Sequence, residues 1–388
     1  MRLFVLLLLL LPASASAVVV FDKEVPKRDL DRLVLNVGGF IQPRFVFEQK
    51  DDDVGSPGEV GFQVARARVE LAGRLEWSPD NAPKLLLTHK LSVEFMPEAR
   101  LIDAYLDVGP VEWFRVRFGQ FKAPTHRSML ASDRRTAFTE RSALNNMVPR
   151  REMGVQLNGF LGRRHFEYAA GVFNGEGRNR LANVNDRFLV AGRVAASPWG
   201  SPGFAAGEML QDGWRAKNDD SKHLPTLTVG YSIHWNIDGP SGQEQMVLGH
   251  NAELFFHYRW VTFQGEFLFR AVDWQALELA DYNQIGGYGQ VVLFPPMVPW
   301  VQEHLAVMFR FQQYDRFVPT ELDVPLVGAA DENQAAREMT LGLAFYTGEP
   351  AFLHIGDLRV QLEYTFRQEL EDQPYKNDQL VLGVHVAL

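Results

Sequence analysis

Between Gly61 and Trp77 the chain reads GFQVARARVELAGRLEW, and from residue 65 onward its residues sort by parity. Arg66, Arg68, Glu70, Arg74 and Glu76 fall on even positions, whereas Ala65, Ala67, Val69, Leu71, Gly73, Leu75 and Trp77 fall on odd ones. A repeat of two is the repeat of a β-strand, whose side chains alternate between opposite faces. At ~3.3 Å per residue the apolar face runs for about twenty ångströms. Such a strand needs an apolar medium on one side and a polar one on the other.

The alternation recurs at residues 36–48, 85–95, 101–108, 113–121, 154–160, 166–173, 188–196 and 227–235. It continues at 252–258, 262–271, 285–294, 305–313, 340–346, 358–367 and 380–388, which with 61–77 makes sixteen candidate strands. Most are close to the ~9–11 residues that a tilted strand needs to cross a bilayer. Backbone groups in lipid must be paired within the protein, so a β-protein there must close into a barrel. The pattern predicts an all-β, 16-stranded antiparallel transmembrane β-barrel. With the amino terminus periplasmic, short turns are expected at 78–83, 109–112, 161–164 and 259–261. Longer outer loops are expected at 49–60, 122–152, 174–187, 237–250, 272–284 and 314–337. Residues 96–99 are too few for an outer loop and 197–225 too many for a turn, which leaves a register error or a missed hairpin open there. A secreted β-sandwich also alternates. Against it stand the size of the undivided chain and aromatics near strand ends: Trp77, Trp113, Phe160, Phe173, Trp235, Trp260 and Phe294, as in an interfacial girdle.

The first seventeen residues, MRLFVLLLLLLPASASA, carry Arg2, an apolar run and small residues ending Ala15-Ser16-Ala17. That is the pattern of a cleaved export signal, with an apolar run too short for a ~20-residue membrane helix. The expected domains are a signal peptide at 1–17 and a barrel at 18–388. The chain has no cysteine, which excludes disulfides and a lipidated amino-terminal Cys. A net charge of −9 argues against a nucleic-acid partner, which calls for a basic surface.

Asp103–Asp107 reads DAYLD and Phe114–Pro124 reads FRVRFGQFKAP; Glu140–Ser142 reads ERS and Met153–Gly159 reads MGVQLNG. With MTLGLAFY at Met339–Tyr346 and VQLEY at Val360–Tyr364, the chain resembles the phosphate-selective porin family, the O and P type of outer-membrane channel. The resemblance implies a sixteen-stranded barrel, usually a homotrimer in the lipid and lipopolysaccharide of a Gram-negative outer membrane. It further implies passage of small anions through a lumen that an infolded third loop constricts. The carboxyl terminus departs from the usual pattern: it ends on Leu388, where such barrels commonly end on an aromatic residue.

In a barrel the charged face of each strand lines the pore. Arg44, Arg66, Arg68, Arg74, Lys90, Arg115 and Arg117 then point inward from the first five strands, and Arg193, Arg259, Arg270, Arg310, Arg359 and Arg367 add to the wall. The 122–152 segment carries Lys122, Arg127, Arg134, Arg135, Arg141, Arg150 and Arg151 against Asp133, Glu140 and Glu152, with His126 besides. Confined cations concentrate anions, and guanidinium forks suit oxyanions. Pairing with Glu70, Glu76 and Glu94 is the alternative, and it would cancel the selectivity. The ten histidines show no close metal-ligand spacing, although His234 and His257 share a predicted lumen face. Asp51–Asp53 and Asp219–Asp220 could bind calcium or be solvated turns. No Ser/His pair stands out for catalysis, and no cofactor is implied. The sequence thus points to an outer-membrane diffusion channel, anion-leaning and without chemistry. A plugged barrel serving adhesion or scaffolding, and a barrel hydrolase, stay open beside it.

Overall fold

The computed structural model describes residues 18–24, 30–50, 58–77, 85–201, 225–239, 244–274, 281–320, 335–346, 357–370 and 377–387. The alternating segments are strands, generally longer than their sequence signal. A first strand, β1 (Val18–Glu24), precedes β2 (Leu30–Glu48), β3 (Glu59–Trp77), β4 (Leu85–Glu94), β5 (Arg100–Val111) and β6 (Phe114–Lys122). Then come β7 (Arg151–Leu161), β8 (Phe166–Phe173), β9 (Leu189–Ala196), β10 (Thr226–Asp238), β11 (Gln245–Tyr258) and β12 (Val261–Trp274). The last are β13 (Tyr282–Leu293), β14 (Leu305–Pro319), β15 (Ala335–Tyr346), β16 (Asp357–Glu369) and β17 (Gln379–Ala387).

From β2 to β17 each strand pairs antiparallel with the next, and β17 returns to β2, with Gln379 opposite Glu48 and Ala387 opposite Phe40. The ring is a closed 16-stranded barrel. β17 stops at the level of Phe40. The edge of β2 that it leaves uncovered pairs with β1, from Val18 opposite Val37 to Glu24 opposite Arg32. Periodicity alone did not disclose this extra strand.

The burial of the wall is inverted relative to a soluble protein. Along β10, Tyr231 (45 % exposed) and Ile233 (42 %) face outward while Ser232 (2 %) and His234 (3 %) face inward. On β15, Met339, Leu341 and Leu343 are exposed while Glu338 and Thr340 are buried. A sandwich would bury the apolar set, so the sandwich alternative falls. Trp77, Trp113 and Trp235 are exposed, as a girdle requires. Phe173 and Phe294 are not: they are buried inside, Phe173 with Phe121 and Leu189, and Phe294 with Phe138 and Tyr346.

Both irregular connections are real. Glu94 pairs with Arg100 across the short 95–99 link, and Ala196 pairs with Val229 across the long one, of which residues 202–224 lie outside the described set. The same holds for residues 1–17, Asp51–Asp53, Asp219–Asp220 and Leu388. A short helix, α1 (Arg127–Leu130), lies in the 123–150 segment, and a second, α2 (Pro299–His304), joins β13 to β14.

Two local devices adjust the wall. Gln42 pairs with Arg66 but Pro43 pairs with Val64, which leaves Ala65 as a bulge between β2 and β3. Proline has no N–H to give a ladder and is tolerated at such bulges. The bulge also switches phase, so Phe62 is 89 % exposed while Gln63 bonds Arg44 inside. In β6, Gly119 has φ +119°, and a Cβ there would stand 2.2 Å from the Ala104 carbonyl oxygen. Only glycine fits that approach.

Candidate functional site: an arginine-lined cavity beside the 123–150 segment

The chain leaves the wall after Lys122 and returns at Arg151, with the neck closed by the Ala123 N–H donating to the Arg150 carbonyl (2.8 Å). Between these points lie α1 and two 3₁₀ turns, Asp133–Arg135 and Ala143–Asn146. Ser132 Oγ caps the first turn by accepting from the Arg134 N–H, and Ser142 Oγ caps the second by accepting from the Leu144 N–H, both at 3.3 Å.

The segment's contacts reach strands far away in sequence. The Thr139 N–H and Oγ1 both donate to Glu363 Oε1 on β16 (2.7 Å each). From β16 also, Arg359 donates to the Thr136 carbonyl and Gln361 to the Ala137 carbonyl, both at 2.7 Å. The Ser128 N–H donates to Glu266 on β12 (2.8 Å), and the Ala143 N–H to Gln312 on β14 (3.1 Å). Phe138 packs on Val292, Ala306, Met308 and Ala344; Leu144, Met147 and Val148 pack on Leu268, Tyr288 and Tyr314.

Beside this segment lies a cavity of about 610 Å³. Eleven arginines line it against five carboxylates, an excess of six positive charges. Several of the cations are paired. Arg68 Nη1 donates to Asp133 (2.6 Å) and Nη2 to Glu94 (3.0 Å). Arg141 meets Asp133 at 2.7 Å, and Arg151 meets Asp103 at 2.8 Å. Arg44 and Arg66 hold the two oxygens of Glu140, at 2.6 and 2.8 Å. Arg367 meets Glu338 at 3.0 Å. Among the described residues, Arg100, Arg178 and Arg316 have no carboxylate in ion-pair contact.

Electrostatics on the segment follow from burial and neighbours. Burial alone would raise the Asp133 carboxyl, but Arg141, Arg68, Lys122 and Arg151 hold it well below the usual carboxylate range. Burial pushes the His126 imidazole down to about 3, so it is neutral. In the 174–188 connection, partial burial and then the like charges of Arg100, Arg151, Arg68 and Arg150 pull the Arg178 guanidinium below its ordinary value. A guanidinium stays charged regardless; the direction records partial burial first and the surrounding like charges second.

A model of the family described as phosphate-selective porin O and P matches residues 41–296. The chain belongs to that family. Among solved structures, OmpT of Vibrio cholerae expressed in the outer membrane is similar, with a TM-score of 0.56 at 9% identity over 96% of this chain and 100% of that one. OmpF of Salmonella typhi, in complex with daunomycin, gives 0.55 at 10% identity over 92% and 98%. An in-vitro folded, trimer form of the Vibrio OmpT gives 0.54 at 11% identity over 92% and 99%. These likenesses show the shared barrel fold. No curated protein matches the sequence significantly. Family and fold together mark this porin-family member as an outer-membrane porin channel.

The cations expected of such a porin divide into groups. Arg44, Arg66, Arg68, Arg141, Arg150, Arg151, Arg310 and Arg367 line the cavity. Arg74, Lys90, Arg115 and Arg117 sit elsewhere on the wall, bound to Glu76 (2.7 Å), Glu70 (3.0 Å) and Asp107 (2.6 Å to each of the last two). Arg134 and Arg135 lie in the first 3₁₀ turn, outside that lining. Two depart from the pore-lining role. Lys122 gives its ammonium to the carbonyls of Leu130 and Ala131, and Arg127 is buried over the Phe255 ring, 3.9 Å from its centroid. Each supports the segment from behind. Arg193 is buried with Glu167 and Glu253. Arg259 is not on the wall at all: it occupies the β11–β12 turn with φ +52°. Among the described residues no group of His, Cys, Asp or Glu could hold a metal ion.

Sequence reasoning missed Arg100, Arg178 and Arg316. Arg100 opens β5 and Arg178 lies in a connection, so neither belongs to an alternating run. Arg316 lies beyond the clear periodicity of β14, over the Tyr314 ring at 5.0 Å.

Proposed function

We propose that this porin is a homotrimeric, anion-selective channel that passes phosphate or related small oxyanions, with the 123–150 segment constricting the lumen. The observation that carries this reading is the excess of six arginines over carboxylates around one cavity. Confinement between low-dielectric walls raises the anion concentration there. Guanidinium N–H groups replace the hydration shell that the anion loses on entry. Several cations of unequal neutralisation form a series of weak sites, which conduction needs more than one tight cage. Export through a signal cleaved before Val18, and a setting in lipopolysaccharide, complete the proposal. The trimeric assembly of the similar Vibrio barrel supports the oligomeric state.

The test is single-channel conductance in a planar bilayer under a salt gradient, before and after phosphate is added. A reversal potential favouring chloride, with phosphate reducing the current, is expected. Cation preference would refute the anion reading, and absence of conduction from a folded barrel would refute the channel.

A further inference from the structure

Glu140 stands apart from the other carboxylates of the cavity. Asp133 is buried among three guanidiniums, whereas the Glu140 side chain, which also lines the cavity, is 50 % exposed. Its two oxygens are shared between strands: Oε1 takes Arg44 Nη1 of β2 at 2.6 Å and Oε2 takes Arg66 Nη2 of β3 at 2.8 Å. This is a bridging oxyanion held by two cations, with the oxyanion supplied by the protein itself.

Neither the cations nor the backbone depend on that carboxylate for their place. Arg44 also donates through Nε to Gln63 Oε1 (2.8 Å), and Arg66 through Nη1 to Gln42 Oε1 (2.8 Å) and to the Thr139 carbonyl (3.0 Å). Arg310 donates to the Glu140 carbonyl at 2.8 Å, and Glu363 holds Thr139 from the far wall. The side chain can therefore swing away while both forks stay aimed at the space it vacates.

Resting on the anion-channel reading above, we propose that Glu140 is a tethered counter-anion that occupies the Arg44–Arg66 pair and is displaced by a permeating oxyanion bridging the same two guanidiniums. Its role is to set specificity and affinity. An entering anion must compete with a covalently attached rival, so its binding is weakened and its exit eased, as throughput requires. Because the pairs are partly solvated, the competition is mild, on the order of a fivefold effect on affinity.

The test compares wild type, Glu140→Gln and Glu140→Ala, each shown to fold by its thermal melt, for phosphate block of chloride current and for reversal potential. Alanine leaves the backbone bonds to Arg66 and Arg310 available and serves where glutamine rebonds to the arginines. Both variants are expected to need ~5-fold less phosphate for half-block and to shift the reversal potential further toward chloride, with an unchanged melt. Unchanged or weakened block in both, with wild type still blocked, overturns the role of Glu140 and leaves the channel reading standing. A lowered melting temperature with unchanged block assigns Glu140 a merely structural role and overturns the proposal too. A wild type that shows neither anion preference nor block overturns both readings together.

Discussion

Asp133→Asn isolates the strength of the hold on the 123–150 segment. The carboxylate accepts Arg68 at 2.6 Å and Arg141 at 2.7 and 3.1 Å, with Arg151 at 3.8 Å. Breaking a buried ion pair from one side costs about 3–5 kcal/mol, because it strands the other charge. Here the loss is shared. Arg68 keeps Glu94 and Arg151 keeps Asp103, while Arg141 keeps the carbonyls of Ser128 and Ala131 but loses its carboxylate. The lower end, about 3 kcal/mol, is therefore expected, or roughly a hundredfold increase in opening of the segment. The sixteen-strand ladder does not pass through Asp133, so the barrel should stay closed. Hydrogen exchange of the segment's amides in folded, detergent-solubilised protein reads the effect at neutral pH. Protection of the Asp133–Asn146 stretch that changes less than threefold would refute the reasoning. The sign with pH follows from the depressed carboxyl. Its contribution is present above the ordinary value of ~3.9 and is lost only as pH falls through the much lower folded value. Wild-type protection through Asp133 should thus persist at pH 4.

His126, held down to about 3 by burial, acts in the same direction but in a higher pH window: the unfolded chain takes up its proton as pH falls below ~6.5. Folding should lose about 2 kcal/mol from this group between pH 7.5 and 5, and His126→Asn should remove that slope from denaturant titrations. Leu341→Arg places a charge on the outward face of β15 and should cost up to ~2–4 kcal/mol in lipid. Refolding into vesicles under urea reads that loss, and an unchanged midpoint would mean that this face does not meet hydrocarbon.

All sixteen barrel strands were legible because each announces itself over a few neighbouring residues. Leu358 through Arg367 alternate without a fault, and β16 occupies that stretch. Legibility ended where information stopped being local. β1 pairs with the β2 edge that β17 leaves uncovered, a fact of closure that no stretch of the chain carries by itself. The bond from Thr139 to Glu363 spans 224 positions; the alternation places Glu363 inward but says nothing of what meets it there. The same limit explains the arginines. Parity put Arg66 and Arg68 on the inner face, yet whether a guanidinium meets a carboxylate depends on neighbours across strands. The pairing alternative held for Arg74, Lys90 and Arg68, while Arg178 had no pattern to reveal it.

The 123–150 segment is fastened to β2 and β3 on one side and to β12, β14 and β16 on the others. Mechanically it is a spar across a thin-walled tube. A hollow cylinder of strands has no internal support of its own against lateral pressure. In the proposed channel a spar pinned at several points would resist flattening, so the aperture would follow the length and side chains of one short stretch instead of the circumference. On that proposal the wall could change to suit its lipids while the bore kept its calibre, and the bore could be retuned by a few substitutions that leave the assembly of the wall untouched.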